Sequence, residues 1–211
     1  MTPEPRRNAA RLDVGGFVPF SATDYPDRLA AVVFCQGCPW RCGYCHNAHL
    51  QPAQSESRVA WDDIAAFLAT RRGLLDAVVF SGGEPTLHAG LADALREVKL
   101  LGFATGLHTA GIYPARLAEV LPLVDWVGFD IKAPFGDYER ITRTPHSGAR
   151  ARASLGLLLA SGVAHQIRTT LDERVLTPAR IDVLGEELRQ LGISKHVLQA
   201  CRPVAGSPGP F

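Results

Sequence analysis

The sequence predicts a single α/β domain built on a largely parallel sheet, and three observations predict it. Short β-branched runs alternate along the chain with longer Ala/Leu-rich stretches of helical period. The runs are apolar almost throughout, as strands are when both faces of a sheet are covered. Glycines stand where helices should end in a left-handed residue. With 211 residues, 46% of them hydrophobic, the chain is long enough to bury one substantial core.

A polar, proline-containing start precedes the first strand. Arg6-Arg7 lies in it, but no apolar run follows, so it is not read as an export signal. The first strand is predicted at residues 29–35 (LAAVVFC), followed by a helix at 61–72 and a second strand at 77–81 (AVVFS). Helix 91–101 places Leu91, Ala94, Leu95, Val98 and Leu101 on one face and ends before Gly102. Strand 104–109, helix 114–121 and strand 126–131 (WVGFDI) continue the alternation. Helix 150–160, stopped by Gly162, leads to strand 166–171; helix 178–191, stopped by Gly192, leads to strand 196–199. Six such repeats form either an open doubly wound sheet or part of a (β/α) barrel, and both gather function at the carboxyl ends of the strands. No linker divides the chain, so residues 1–211 are read as one domain with its core at about 14–203 and a Gly/Pro tail at 206–211.

The unusual residues fall at those strand ends. Four of the five cysteines, Cys35, Cys38, Cys42 and Cys45, lie within eleven residues, and Cys201 stands alone. A disulfide framework would spread its cysteines, so the cluster points to a metal or to redox chemistry in a reducing compartment. Cys38, Cys42 and Cys45 have the spacing C-x3-C-x2-C, short enough to wrap one centre, and soft thiolates select zinc, copper(I) or an iron–sulfur cluster. Zinc knuckles are usually set about 15–20 residues apart, and Cys35-x2-Cys38 and Cys42-x2-Cys45 are cramped for one tetrahedral ion. A ferredoxin run has a different order of spacings. Three thiolates on a cubane leave one iron open to a ligand, provided Cys35 is a buried thiol ending an apolar strand. Iron–sulfur, zinc and redox readings all stay open from the loop alone.

The second strand runs into Gly82-Gly83-Glu84-Pro85, where glycines permit close backbone approach and Glu84 offers a carboxylate; an ordinary tight turn accounts for them equally. C-x3-C-x2-C after a first strand, with Tyr44 before the last cysteine, together with FSGGEPT at 80–86, resembles the signatures of the radical S-adenosylmethionine (SAM) superfamily. The resemblance implies a partial (β/α)6 TIM-like barrel. It implies a 4Fe-4S cluster on Cys38, Cys42 and Cys45, whose open iron chelates S-adenosylmethionine and whose electron cleaves it to methionine and a 5′-deoxyadenosyl radical. Segments DYPDRLAAVVFCQGCPWRCGYCHN, GLHTAG, VDWVGFDIKAPFGDY, IRTTL and HVLQACRP extend the resemblance to activating proteins of anaerobic ribonucleoside-triphosphate reductase, within the glycyl-radical-enzyme activases.

By that resemblance Gly83 and Glu84 help hold the methionyl ammonium, Gly82 borders the cofactor with them, Lys132 lies near its carboxylate, and Asp130 helps form a cation or polar site. Thr109 and Arg168 also face the cofactor, and Arg168 is expected to find its partner in the cofactor carboxylate or in Glu84. Asp130 and Lys132, two apart on a strand, share a face; a surface ion pair is the plainer account of them. Residues 108–111 read HTAG where T-N-G is expected, Ala110 replacing the amide, and His108 stands where some related activases carry an aspartate. His46 and Asn47 are read as shaping the loop, while His88, His146, His165 and His196 have no motif context. The implied partners are a glycyl-radical enzyme, most directly the anaerobic ribonucleotide reductase subunit, and a flavodoxin or ferredoxin donor.

With 22 basic against 21 acidic side chains, the chain excludes a nucleic-acid binder driven by bulk charge. No apolar stretch approaches the roughly 20 residues needed to cross a bilayer, and a cytoplasmic protein is expected. Two alternatives stay in view: a small-molecule radical enzyme resembling carboxy-deazaguanine synthase, and a non-catalytic iron–sulfur or zinc module.

Overall fold

The computed structural model describes residues 12–54 and 58–201; Arg6-Arg7 and the Gly/Pro tail lie outside the described residues. In chain order the elements are β1 (Val14–Ser21), β2 (Ala30–Cys35), α1 (Trp61–Ala69), β3 (Ala77–Gly82), α2 (Leu91–Leu100), β4 (Ala104–Thr109), α3 (Pro114–Val120), β5 (Trp126–Asp130), α4 (Tyr138–Thr142), α5 (Ser147–Ser161), β6 (Ala164–Leu171), α6 (Pro178–Gln190) and β7 (His196–Ala200). The strands form one sheet in the order β1-β2-β3-β4-β5-β6-β7. Strands β2 to β7 pair in parallel, each with the next in sequence. A doubly wound sheet would reverse its order at a switch point; this one does not, so the sheet is an open arc of the barrel type, with β1 and β7 at its edges.

β1 was not among the predicted strands. It pairs antiparallel with β2, with register shifts between Val14 and Gly16 and again between Val18 and Ser21. Its Gly-Gly pair and Pro19 read as a breaker, yet proline is admitted on an edge strand, where no neighbour needs its missing N–H. The short α4 was also not predicted, and α5 begins at Ser147 rather than residue 150. Gly102, Gly162 and Gly192 take φ of +92°, +71° and +81°, the left-handed helix ends expected of them.

The period of two along the strands sorts the side chains between two faces. Ala31, Val33, Cys35, Val78, Phe80, Leu107, Val127, Phe129 and Ile167 point to the helices and are buried with Leu68, Leu95, Leu117, Leu155 and Leu184. The alternate residues Ala30, Val32, Ala77, Val79 and Trp126 form a smaller cluster on the other face, closed by Tyr25 from the β1–β2 loop. The Tyr25 and Trp126 rings lie 5.2 Å apart. That inner face is apolar toward the amino ends of the strands. Toward their carboxyl ends the same positions become Ser81, His108, Asp130 and Arg168.

Candidate active site

Each parallel strand leaves the sheet at the same end, so the turns that follow β2, β3, β4 and β5 are neighbours. The turn after β2 is the cysteine loop. It is fastened by main-chain bonds: Gly37 N to Leu50 O (2.7 Å), Cys38 N to Gln51 O (3.0 Å) and Arg41 N to Thr142 O (2.9 Å). Trp40 is buried in it, edge-on to Tyr138 at 5.7 Å. Cys38, Cys42 and Cys45 are half-buried free thiols, whereas Cys35 is wholly buried on β2. Burial pushes the Cys38 thiol up to about 12 and that of Cys42 upward, with Lys132 close enough to Cys42 to pull the other way. Cys35, buried beside Glu84, is pushed up further still.

The turn after β3 packs directly against this loop. Gly83 N donates to Cys35 O and Glu84 N to Gly37 O, both at 2.9 Å. Gly82 has φ of +107°, and a Cβ there would press on the backbone of Cys35 and Phe34. A Cβ on Gly83 would collide with Gly37 O. The close approach that the glycines allow is thus between two protein backbones.

Glu84 is 1% exposed. Its Oε1 accepts from Thr86 N (3.0 Å), Thr86 Oγ1 (2.6 Å) and Thr109 Oγ1 (2.7 Å), and its Oε2 from Ala110 N (3.1 Å). Burial raises its pKa, and these donors pull it back only in part. Thr109 in turn accepts from Gly111 N. Glu84 and Thr109 therefore tie the turns after β3 and β4 together.

Asp130, Lys132 and Arg168 come together on the inner face. Arg168 Nε donates to Asp130 Oδ1 at 2.8 Å, and Lys132 Nζ is 3.5 Å from Oδ2. The partner of Arg168 is Asp130; Glu84 has its own four donors, so the expected pairing with Glu84 does not form. Burial alone would raise Asp130, but Lys132 and Arg168 hold its carboxyl at about 2. Against the same burial, Asp130 holds Lys132 above its ordinary range.

His108, which the sequence left open, sits against this trio. Its Nε2 is 2.9 Å from Asp24 O, its Nδ1 3.2 Å from Ser81 Oγ, and Arg168 approaches Nε2 at 3.4 Å. A carbonyl only accepts, so Nε2 carries the proton and Nδ1 accepts from Ser81. Gly128 makes room for this contact: a Cβ there would stand 2.9 Å from both Arg168 Cζ and His108 Cδ2. Residue spacing could flag Asp130 and Lys132, but no local signal points to Gly128 or Ser81, which act through strand pairing. Of the remaining histidines, His196 packs its Nε2 2.8 Å from Thr169 Oγ1, and half-buried His88 has a buried Nε2 without a hydrogen-bond partner.

Among the described residues, no group of three or more His, Cys, Asp or Glu side chains is arranged for a single metal ion. A cubane asks something different, since its thiolates attach to separate corners. The loop supplies three thiols at its surface and two buried donors without acceptors, Trp40 Nε1 and Tyr44 Oη. Cluster sulfur is an acceptor for such donors and iron a soft-ligand acid for the thiolates, so the residues fit an iron–sulfur cluster.

The model of the radical SAM superfamily matches residues 32–194. A relative from Methanocaldococcus jannaschii, assigned by name to the glycyl-radical enzyme activating enzymes, is 28% identical over 200 residues, covering 90% of this chain and 80% of its own. A Streptococcus mutans pyruvate formate-lyase-activating enzyme is 31% identical over 82% of this chain and 68% of its own. The match to the Clostridium pasteurianum pyruvate formate-lyase-activating enzyme, 34% identical, spans 49% of this chain and about half of that enzyme (46%). Among solved structures, native anSMEcpe with bound AdoMet superposes with TM-score 0.66 at 16% identity, over 83% of this chain and 52% of that one. QueE from Escherichia coli superposes with TM-score 0.52 at 14% identity, over 90% and 94%. At those identities the structures speak to the fold, which they share. The chain belongs to the radical SAM superfamily and is an enzyme that uses a 4Fe-4S cluster and S-adenosylmethionine.

Proposed function

We propose that this enzyme activates a glycyl-radical enzyme, with the anaerobic ribonucleotide reductase subunit as partner, in the cytoplasm. In this reading Cys38, Cys42 and Cys45 hold the cluster. The main chain at Gly82 and Gly83, with Asp130, Lys132 and Arg168, borders S-adenosylmethionine, and Glu84 and Thr109 hold those turns in place from behind. The bound cofactors supply reductive cleavage of the sulfonium and a carbon-centred radical. The protein supplies position: two cations around one carboxylate leave the inner wall with a net positive charge, suited to the carboxylate of a methionyl group.

One observation carries the reading: a three-thiol loop lies beside that charged trio, with Lys132 near enough to act on Cys42. The choice of partner rests on the segments resembling reductase activases and on relatives named as activating enzymes. No helix among the described residues is long and apolar enough to cross a membrane.

The test is anaerobic reconstitution with iron and sulfide, reduction in the presence of S-adenosylmethionine, and measurement of 5′-deoxyadenosine with and without the reductase subunit. A glycyl-radical signal on that subunit is expected; cleavage without any such signal would move the assignment to a small-molecule enzyme. Ala at Cys38, Cys42 or Cys45 should each abolish cleavage, while Cys35→Ala should keep wild-type iron content. Loss of the cluster in Cys35→Ala would show that the ligand set is misassigned.

A further inference from the structure

A closed barrel fills its interior with successive layers of strand side chains. At its amino end the inner face of this open arc carries small residues instead, among them Ala30, Ala77, Ala104 and Gly106, and the space is filled from a loop. In the connection from β1 to β2, residues 22–29, Tyr25 alone is buried, at 7% exposure. Its ring lies against Trp126 at 5.2 Å and beneath the Arg28 guanidinium at 5.4 Å. Gly106 is its seat: a Cβ there would stand 3.0 Å from Tyr25 Cδ2 and 2.9 Å from Val79 Cγ2. Glycine weakens the interior of a strand, and its presence marks a close approach. The loop is pinned from the carboxyl side, where His108 Nε2 donates to Asp24 O at 2.9 Å.

Strand register converts this packing into a depth. Val32, Val79, Gly106 and Trp126 pair across the sheet as one row, which the Tyr25 ring covers. Two residues further along the strands stand Phe34, Ser81, His108 and Gly128, and two further again the paired Asp130 and Arg168. Each row adds about 7 Å, so a single row lies open between the ring and the charged residues. That depth takes a main-chain strand, about 5 Å across, but not one with a large side chain beneath it, since sheets that carry side chains stand about 10 Å apart. We propose that Tyr25 is the floor of the substrate site, a positioning residue that admits a main-chain bend with little or no side chain and stops it level with Ser81 and His108. The proposal rests on the activase reading above, in which a glycine segment of the partner is the substrate. One hydrogen atom leaves a C–H bond of that segment as a C–H bond forms at the cofactor's carbon radical, so the depth of the segment decides whether the transfer occurs. An error of about 1 Å in such a placement costs on the order of a hundredfold.

Two measurements on the cluster-loaded protein test it. Acrylamide quenching of tryptophan fluorescence reads access to Trp126, which is 7% exposed against the ring. Tyr25→Ala should raise the quenching; Tyr25→Phe, which keeps the ring, should not. With the reductase subunit and a reductant, each completed transfer leaves one 5′-deoxyadenosine and one glycyl radical, so spins per 5′-deoxyadenosine report placement. Tyr25→Ala should lower that ratio by about tenfold or more and Tyr25→Leu, a shorter apolar stop, by less, while Tyr25→Phe should keep it at the wild-type value. A purely structural role would lower iron content or total cleavage and leave the ratio where it was. A wild-type ratio in both Tyr25→Ala and Tyr25→Leu would overturn the proposal, as would unchanged quenching in Tyr25→Ala; should Tyr25→Ala not fold, Tyr25→Leu decides on both measurements. Wild-type protein that cleaves S-adenosylmethionine yet leaves no radical on the subunit would overturn the activase reading, and the substrate role of Tyr25 with it, whatever the quenching shows.

Discussion

Glu84 and Asp130 are both acids at strand ends, and their surroundings pull them in opposite directions. Around Glu84 there are only neutral donors, so burial prevails and its pKa rises. Around Asp130 two cations prevail over burial, and the carboxyl is held at about 2. His108 completes this environment as a neutral strut. Burial and the neighbouring Arg168 depress it from 6.5 to about 4, while Asp130, Asp24 and its bond to Asp24 O oppose the fall only in part. A histidine whose folded pKa lies below its unfolded value contributes stability in full above the unfolded pKa, and loses it as pH falls toward the folded one. The contribution of His108 is therefore complete above about pH 6.5 and is lost as pH falls toward about 4. Asp130 adds a second acid-sensitive step, intact above its unfolded value near 4 and lost toward about 2. His108→Gln, which cannot titrate, should remove the first step and leave the second. Urea midpoints measured from pH 7 to pH 3 check this; an unchanged slope between pH 6.5 and 4 in the variant would disprove the strut.

At the scale of elements, the parallel strands and their helices were legible because burial on both faces writes a continuous apolar run, and a helix writes its period. β1 was not, since an edge strand is free to contain Gly15, Gly16 and Pro19, and its place is fixed by pairing with β2 across about fifteen residues. The site divides in the same way. The cysteine loop and the Gly-Gly-Glu turn are contiguous in sequence and could be read there. The meeting of Asp130 with Arg168, the contact of His108 with Ser81, and the space left by Gly128 depend on register between strands that sequence does not state. The glycines also carry something that reading alone does not show: their freedom lets two turns pack backbone against backbone. Gly83→Ala should test that contact, because the added Cβ would meet Gly37 C at 2.7 Å and Leu50 O at 2.9 Å, all backbone that cannot rotate aside. The cysteine loop must then shift. Iron bound per chain after reconstitution should fall severalfold, while the apo protein loses only about 1–3 kcal/mol. Full iron occupancy in this variant would mean that the two turns are not tightly coupled.

For the whole molecule, the arrangement separates what folds the chain from what works. The core lies between one face of the arc and the helices, built from Phe80, Leu107, Phe129, Leu68, Leu95 and Leu155. The thiols hang at the rim, on a loop held by its own anchors, Trp40 and Leu50, both 1% exposed. A zinc finger has no core without its metal and unfolds when it is removed; here the buried core is built from other residues, and Cys38 and Cys42 only pack against its edge. Removing the cluster with chelator under reducing conditions should therefore leave the far-ultraviolet circular dichroism nearly unchanged and the unfolding transition cooperative. Since a bound group stabilises by the logarithm of its concentration over its dissociation constant, loading should raise stability by about 2–4 kcal/mol. The gain should concentrate in hydrogen exchange of the loop after β2 and the turn after β3, with β4 and β5 unaffected. Collapse of the helical signal on chelation would show that the rim and the core form one cooperative unit, and that the cluster is a structural element as well as a chemical one.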